Sequence, residues 1–480
     1  MPDASLSVVG SGLPRRGVLT AGALALLAGC SRTGAGPETR TTPSGPTSSA
    51  TTAAEVDPDA PTRAQVAALL TRRADGLRRG DAAASSAVYA AAVREAVAAV
   101  DARAAALGLA EVDLTLLDVR PVDASAAGAA SGNTSGAAGD GERTPVPTHE
   151  AAVATAVRIT GEGRAAGGTQ RVGLVRSAGG DAEGGGDWVL VPAVEPGVPQ
   201  PWELGDVEAR RVDTGVVVRV AVGAEDGGTA EATDRADQLS ANVAEDLPDA
   251  TARVRRHWGT DWPDGTAVVV CSTPVAAGRL AGVDAERALA LDALAVGLDG
   301  TLPGGGPAGV RVVVQPSGFG ALSRLGQQVT LTHELVHVAA RAGTTASLPV
   351  WLVEGYADHV ARLDRGLDPR RLAVALLDAV AAGRSPEVPD ETAYASTDPA
   401  ELQIAYASGW TLVTSAARAV GTPAVTAFYR DLARPTGPAP DPADLPDRVD
   451  AAARRHLGAS FAEVRDRWVA EVRGGLADWT

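Results

Sequence analysis

A chain of 480 residues is long enough for two or three domains, each with its own core. Its formal net charge of −16, with scattered arginines outnumbered by carboxylates and no lysine, argues against a nucleic-acid partner, because phosphate binding needs clustered cations. Two cysteines, Cys30 and Cys271, exclude a disulfide scaffold and a cysteine-based zinc site.

The first predicted element is an address. Arg15 and Arg16 precede an uncharged run over residues 17–29 that ends at Cys30. The run is too short to span about 30 Å of hydrocarbon as a helix, so residues 1–30 read as a signal peptide. Leu27-Ala28-Gly29-Cys30 resembles the bacterial lipobox, which implies diacylation of Cys30 and an anchor on the extracytoplasmic face of the cell membrane. The paired arginines also resemble a twin-arginine export signal, although Val18 stands where that signal carries Phe. Residues 31–58 are rich in Thr, Ser, Gly and Pro and almost devoid of large apolar side chains, the composition of a flexible tether.

Residues 59–210 predict a small α+β domain. Val66, Leu69 and Leu70 recur at helical spacing, and a second helical pattern runs on to Gly108. Four strand-like runs follow, VDLTLLDVRPV, EAAVATAVRIT, QRVGLVRS and DWVLVPAV, separated by a Gly/Ala/Ser insert at 124–141 and by AGGDAEGGGD. Helices followed by an antiparallel sheet resemble ketosteroid-isomerase-like or cystatin-like domains. No catalytic cluster is visible in this unit, and His149 lies in a polar stretch that predicts an exposed side chain.

Residues 211–480 predict a second α+β domain, sheet first and helices last. GVVVRVAV, TAVVVCS and GVRVVVQPS read as strands, with Cys271 as a buried strand thiol, and a long helix lies between the first two. VTLTHELVHVAARAG then places His333 and His337 four residues apart, on nearly one side of a helix, where both imidazoles reach one ion. Glu334, rotated by about 100°, sits beside that ion and can take a proton from water. This is the H-E-x-x-H pattern.

A catalytic zinc takes three protein ligands and keeps one position open, so a third ligand is expected on a later helix. After residues 338–353, LPVWLVEGYADHVA supplies Glu354, with Asp358 one turn on and placed to accept the outer N–H of a zinc-bound histidine. His359, five residues after Glu354, points away from the ligand face. Trp351 reads as core. His257 and His456 have no partner at ligand spacing.

These two motifs resemble the gluzincin zinc peptidases, whose core is thermolysin-like, and among them the peptidase MA-like group with its W-L-x-E-G-x-A signature. The resemblance spans roughly residues 211–480. It implies a zincin-type fold (small sheet, active-site helix, then a helical subdomain), a peptide or protein substrate and a Zn2+ cofactor. It further implies His333, His337 and Glu354 as ligands, Glu334 as general base and Asp358 as the partner of a ligating histidine. Gluzincins commonly place a Tyr or His over the oxyanion. AYAS occurs twice, offering Tyr394 and Tyr406; Tyr406 is the expected donor because it opens the helix-like run matching the family's tyrosine-bearing helix. The alternative for Tyr406 is plain packing. The strand GVRVVVQPSGFG lacks the G-x-M-E-N stretch with which the aminopeptidase branch holds a free α-amine, which argues against that specificity and leaves endopeptidase activity or a narrower substrate open. The expectation from another class is a non-catalytic envelope lipoprotein whose zincin domain is a structural or binding module.

Overall fold

The computed structural model describes residues 60–122, 145–177, 188–195, 197–284, 289, 292–297, 308–435 and 441–479. The expected signal peptide with Cys30, the tether and the inserts between the N-terminal strands lie outside these residues. The fold is mixed α+β with two small sheets.

The N-terminal unit opens with α1 (Arg63–Arg79). Thr62 caps it through a reciprocal box with Gln65, and Gly80 ends it at φ 67, a left-handed conformation that glycine adopts without strain. The spacing of Val66, Leu69 and Leu70 does what it predicts. Together with side chains of α2 (Ala91–Leu107) they pack on one face of an antiparallel meander, β1 (Leu109–Pro121), β2 (His149–Ile159), β3 (Ala166–Arg176) and β4 (Trp188–Glu195). His149 departs from expectation. It begins β2 on the same face as Ala151 and Val153, is buried, and meets the Trp188 ring edge-on at 5.1 Å. The polar residues before it hid the strand alternation that carries it inward.

The second sheet runs β5 (Asp206–Val212), β6 (Gly215–Ala221), β7 (Thr266–Cys271), β9 (Val310–Val314), β8 (Ala293–Gly297) in spatial order. β6, β7 and β9 are parallel, and the two outer strands are antiparallel to their neighbours. The unbroken valine runs follow from burial on both faces. Val217, Val268, Val270, Val312 and Val314 face the C-terminal helices, whereas Val216, Val218, Val220, Val269 and Cys271 face the N-terminal unit and the short helix Pro274–Ala281. Cys271 is a free, fully buried thiol whose pKa burial pushes up.

Two strands were not legible. β5 carries Asp206, Glu208, Arg210 and Arg211, so its charges mask an edge strand, and the boundary expected at 210/211 falls inside it. β8 reads ALAVG, too short and too rich in alanine to declare itself.

The two units are locked together. Arg311, on β9, reaches across to Glu162 with two bonds of 2.6 and 3.0 Å, and its remaining donors meet the Gln200 side chain at 2.8 Å and the Val157 carbonyl at 3.2 Å. Both charges are buried and their hydrogen-bonding groups matched, the condition under which such a pair is tolerated.

On the far face lie α3 (Ala230–Trp258), α4 (Arg324–Arg341) and α5 (Val350–Arg362), followed by α6 (Pro399–Val420), α7 (Thr422–Ala433), α8 (Leu445–His456) and α9 (Phe461–Arg473). α4 is buried at nearly every position from Gly326 to Ala340, so it forms the axis of this half. α5 and α6 touch backbone to backbone: a methyl group added at Gly355 would collide with the Gly409 carbonyl. Trp351 is core, as expected, and stacks on Phe461 at 5.2 Å. Among the described residues no helix is long and apolar enough to cross a membrane.

Candidate metal centre

α4 starts where Ser323 accepts a hydrogen bond from the Gly326 N–H, and its helical repeat brings His333 and His337 to one side. Their Nε2 atoms lie 3.0 Å apart. From α5, Glu354 places Oε2 at 3.3 Å from His333 Nε2 and Oε1 at 3.6 Å from His337 Nε2. Atoms held about 2.0–2.1 Å from a common centre at tetrahedral angles are separated by about 3.3 Å. The observed 3.0, 3.3 and 3.6 Å lie near that value, with Oε2 toward one imidazole and Oε1 toward the other, so the three residues could hold a cation.

The side chains themselves call for one. Both oxygens of Glu354 are buried and meet only the two imidazole nitrogens, at 3.3 and 3.6 Å and outside good hydrogen-bond geometry, so a cation between the three side chains would satisfy them. Exposure is 1% for His333, Glu334 and Glu354, 2% for His337 and 0% for Asp358, so bulk water does not do so. Burial alone would lower the His333 pKa, but Asp358 and Glu354 outweigh it and push the imidazole up to about 10. Burial would raise Glu354, but His337 and His333 pull it down to about 2. The cluster therefore holds a proton on His333 between the two carboxylates.

Asp358 accepts from His333 Nδ1 at 2.9 Å, which fixes Nε2 as the nitrogen free for a ligand bond. Arg362, one turn further along α5, pairs with the other Asp358 oxygen at 2.7 Å and lies 4.9 Å from the centre of the Trp410 ring on α6. Glu334 turns Oε2 to the N–H of Ala295 at 2.7 Å, while Oε1 is buried with no hydrogen-bond partner.

Tyr394, in the short helix Glu391–Tyr394, and Tyr406, on α6, are both buried, with rings edge-to-face at 5.1 Å. Tyr394 donates its hydroxyl to the Ala405 carbonyl at 3.2 Å. Tyr406 has no such bond among the described residues. Its pKa is raised well above the ordinary value, first by burial and then by Glu354, Tyr394, Asp358 and Glu334, so it keeps its proton.

The structure thus brings together His333, His337, Glu354 and Asp358, with Glu334 next to His333 on α4 and the Tyr394–Tyr406 pair within electrostatic influence of Glu354 and Asp358, and sets His359 apart. His359 is bonded to the hydroxyls of Thr414 at 3.1 Å and Thr422 at 3.0 Å, and burial, then nearby His257, brings its pKa down to about 4. His456 pairs with Asp431 at 3.0 Å. Three residues at the site escaped sequence reasoning. Arg362 had a signal, its i+4 spacing from Asp358. Arg341, which donates to the Ala295 carbonyl at 2.5 Å, and Ala295 itself had none, since their contact depends on the short strand β8. No family model matches the chain, and neither does any curated protein.

Proposed function

We propose that this chain is a zinc-dependent peptidase of the gluzincin type, with His333, His337 and Glu354 holding the metal. The observation that carries the reading is the set of three ligand separations around 3.3 Å, drawn from two helices, beside a glutamate with an uncommitted oxygen. A zinc ion there would supply a Lewis acid and a water of near-neutral pKa. Glu334, through its uncommitted Oε1, would accept the proton of a water attacking the scissile carbonyl carbon. The Tyr406 hydroxyl donates a hydrogen bond to the carbonyl oxygen as it gains negative charge; Tyr394, already committed to Ala405, supports the Tyr406 ring. Glu334 then returns its proton to the nitrogen as the C–N bond breaks, leaving a carboxylic acid and an amine, which exchange a proton to become a carboxylate and an ammonium group. In this reading the chain is a lipoprotein, its catalytic half held at the extracytoplasmic membrane face through diacylated Cys30.

The test is cleavage of a peptide library by the purified protein, with chelator, with restored zinc, and with Glu334→Gln. The reading requires cleavage that chelator abolishes and zinc restores, and a Glu334→Gln protein that binds zinc but loses about 100- to 10,000-fold in turnover. Wild-type cleavage by Glu334→Gln would remove the assigned base. A second reading, a structural metal site in a non-catalytic envelope protein, draws on the burial of all five residues at 2% exposure or less. It predicts bound zinc and no cleavage in any arm.

A further inference from the structure

β8 is the outer strand of its sheet, antiparallel to β9, with Ala295 opposite Val312. In such a pair the N–H and C=O of one residue point to the same side. At Ala295 that side faces away from β9: the N–H donates to Glu334 Oε2 at 2.7 Å, and the C=O accepts from Arg341 at 2.5 Å. Glu334 and Arg341 are seven residues apart, two turns of α4, so one helix face grips a single strand residue twice. The other oxygen of Glu334 is left buried and unpartnered.

We infer that the backbone N–H of Ala295 positions the general base, fixing Oε2 so that Oε1 is the oxygen that receives the proton, with Arg341 holding the strand at the correct height. A carboxylate on a rotatable stem otherwise presents either oxygen over a wide arc, and catalysis needs one oxygen within hydrogen-bond reach of the water. A charge-assisted bond from a sheet backbone removes that freedom before substrate arrives. Ala295 is thus a positioning residue through its main chain, which is why its side chain can be as plain as a methyl group. This inference rests on the peptidase reading for its meaning, but the contact itself does not.

Ala295→Pro deletes the N–H. Because that N–H lies off the ladder on an outer strand, proline there breaks no bond between β8 and β9, but its ring takes the hydrogen's place and displaces Glu334 Oε2. In the zinc-loaded protein, Ala295→Pro should lower kcat about 10- to 100-fold, the value of a hydrogen bond to a charged group, with KM and zinc affinity within about twofold of wild type. Arg341→Met, which keeps the N–H and frees the strand, should lower kcat less. A second arm needs no turnover: amide-resolved hydrogen exchange should show the Ala295 N–H protected in wild type and fast in Glu334→Ala. Wild-type kcat in a zinc-loaded Ala295→Pro protein, or an Ala295 amide indifferent to Glu334→Ala, overturns the inference. If Ala295→Pro does not fold, Arg341→Met and the exchange arm decide it. If wild type cleaves no peptide, the peptidase reading falls, and the exchange arm still decides whether Ala295 holds Glu334.

Discussion

Loading the metal-free protein with zinc should expel a proton. His333, held between Asp358 at 2.9 Å and Glu354 at 3.3 Å, is protonated far above neutral pH in the absence of metal, and its Nε2 must be bare to bind. Below a pKa of about 10, each zinc bound therefore displaces about one proton from His333, and the apparent affinity rises about tenfold for each pH step of one. Between pH 6.5 and 8.5 that amounts to roughly a hundredfold, whereas an imidazole with the ordinary value near 6.5 would give little change over most of this range. The sign is fixed: a raised pKa means that the proton stabilises the metal-free fold at low pH and competes with metal there. Titration calorimetry in two buffers of different ionisation enthalpy, repeated across the range, counts the protons. Asp358→Asn should reduce both the proton count and the affinity, the latter about 10- to 100-fold. Zinc binding that is independent of pH and releases no proton would show that the electrostatics assigned to this cluster are wrong.

Other outcomes follow from the same geometry. Tyr406→Phe should lower kcat about 100- to 1,000-fold with zinc affinity unchanged, whereas Tyr394→Phe, which loses only the bond to Ala405, should have a smaller effect in the same peptide assay. Arg362→Met removes the partner of Asp358 and should weaken zinc binding about 10- to 100-fold, read by competition with a chromogenic chelator, while Arg362→Lys recovers part of the loss. His359 is neutral in the fold, with a pKa near 4 against the ordinary 6.5, so its contribution to stability is complete above pH 6.5 and lost as pH falls toward 4. Urea unfolding of the zinc-loaded protein at pH 7.5 and 5 should show wild type losing about 2 kcal/mol more than His359→Asn. Equal losses would mean that the buried imidazole is not the acid-sensitive group.

Much of the site was legible because helices translate spacing into direction. His333 to His337, and Glu354 to Asp358, are steps of four, and those steps alone put four side chains on two inward faces. The convergence of the two helices was not legible, since it depends on how α5 packs between α4 and α6, the latter through the close Gly355–Gly409 contact, which no local pattern announces. The sheet shows the same division. The valine runs of β6, β7 and β9 declared strands buried on both faces, but β8, with two alanines and a glycine in five residues, did not, and the group that grips Glu334 went unseen with it. For His149, polar neighbours outweighed the alternation that a strand imposes.

The sheet that backs the candidate metal centre turns its other face, lined by Val216, Val218, Val220, Val269 and Val313, into the N-terminal unit, and the Arg311–Glu162 pair rivets the two halves. Whatever else that first unit does, it is the shield of a greasy wall. A protein trimmed to begin at β5 would bare this wall to solvent and strand the Arg311 cation beside it. The trimmed half would then stick to other copies of itself before it met any peptide.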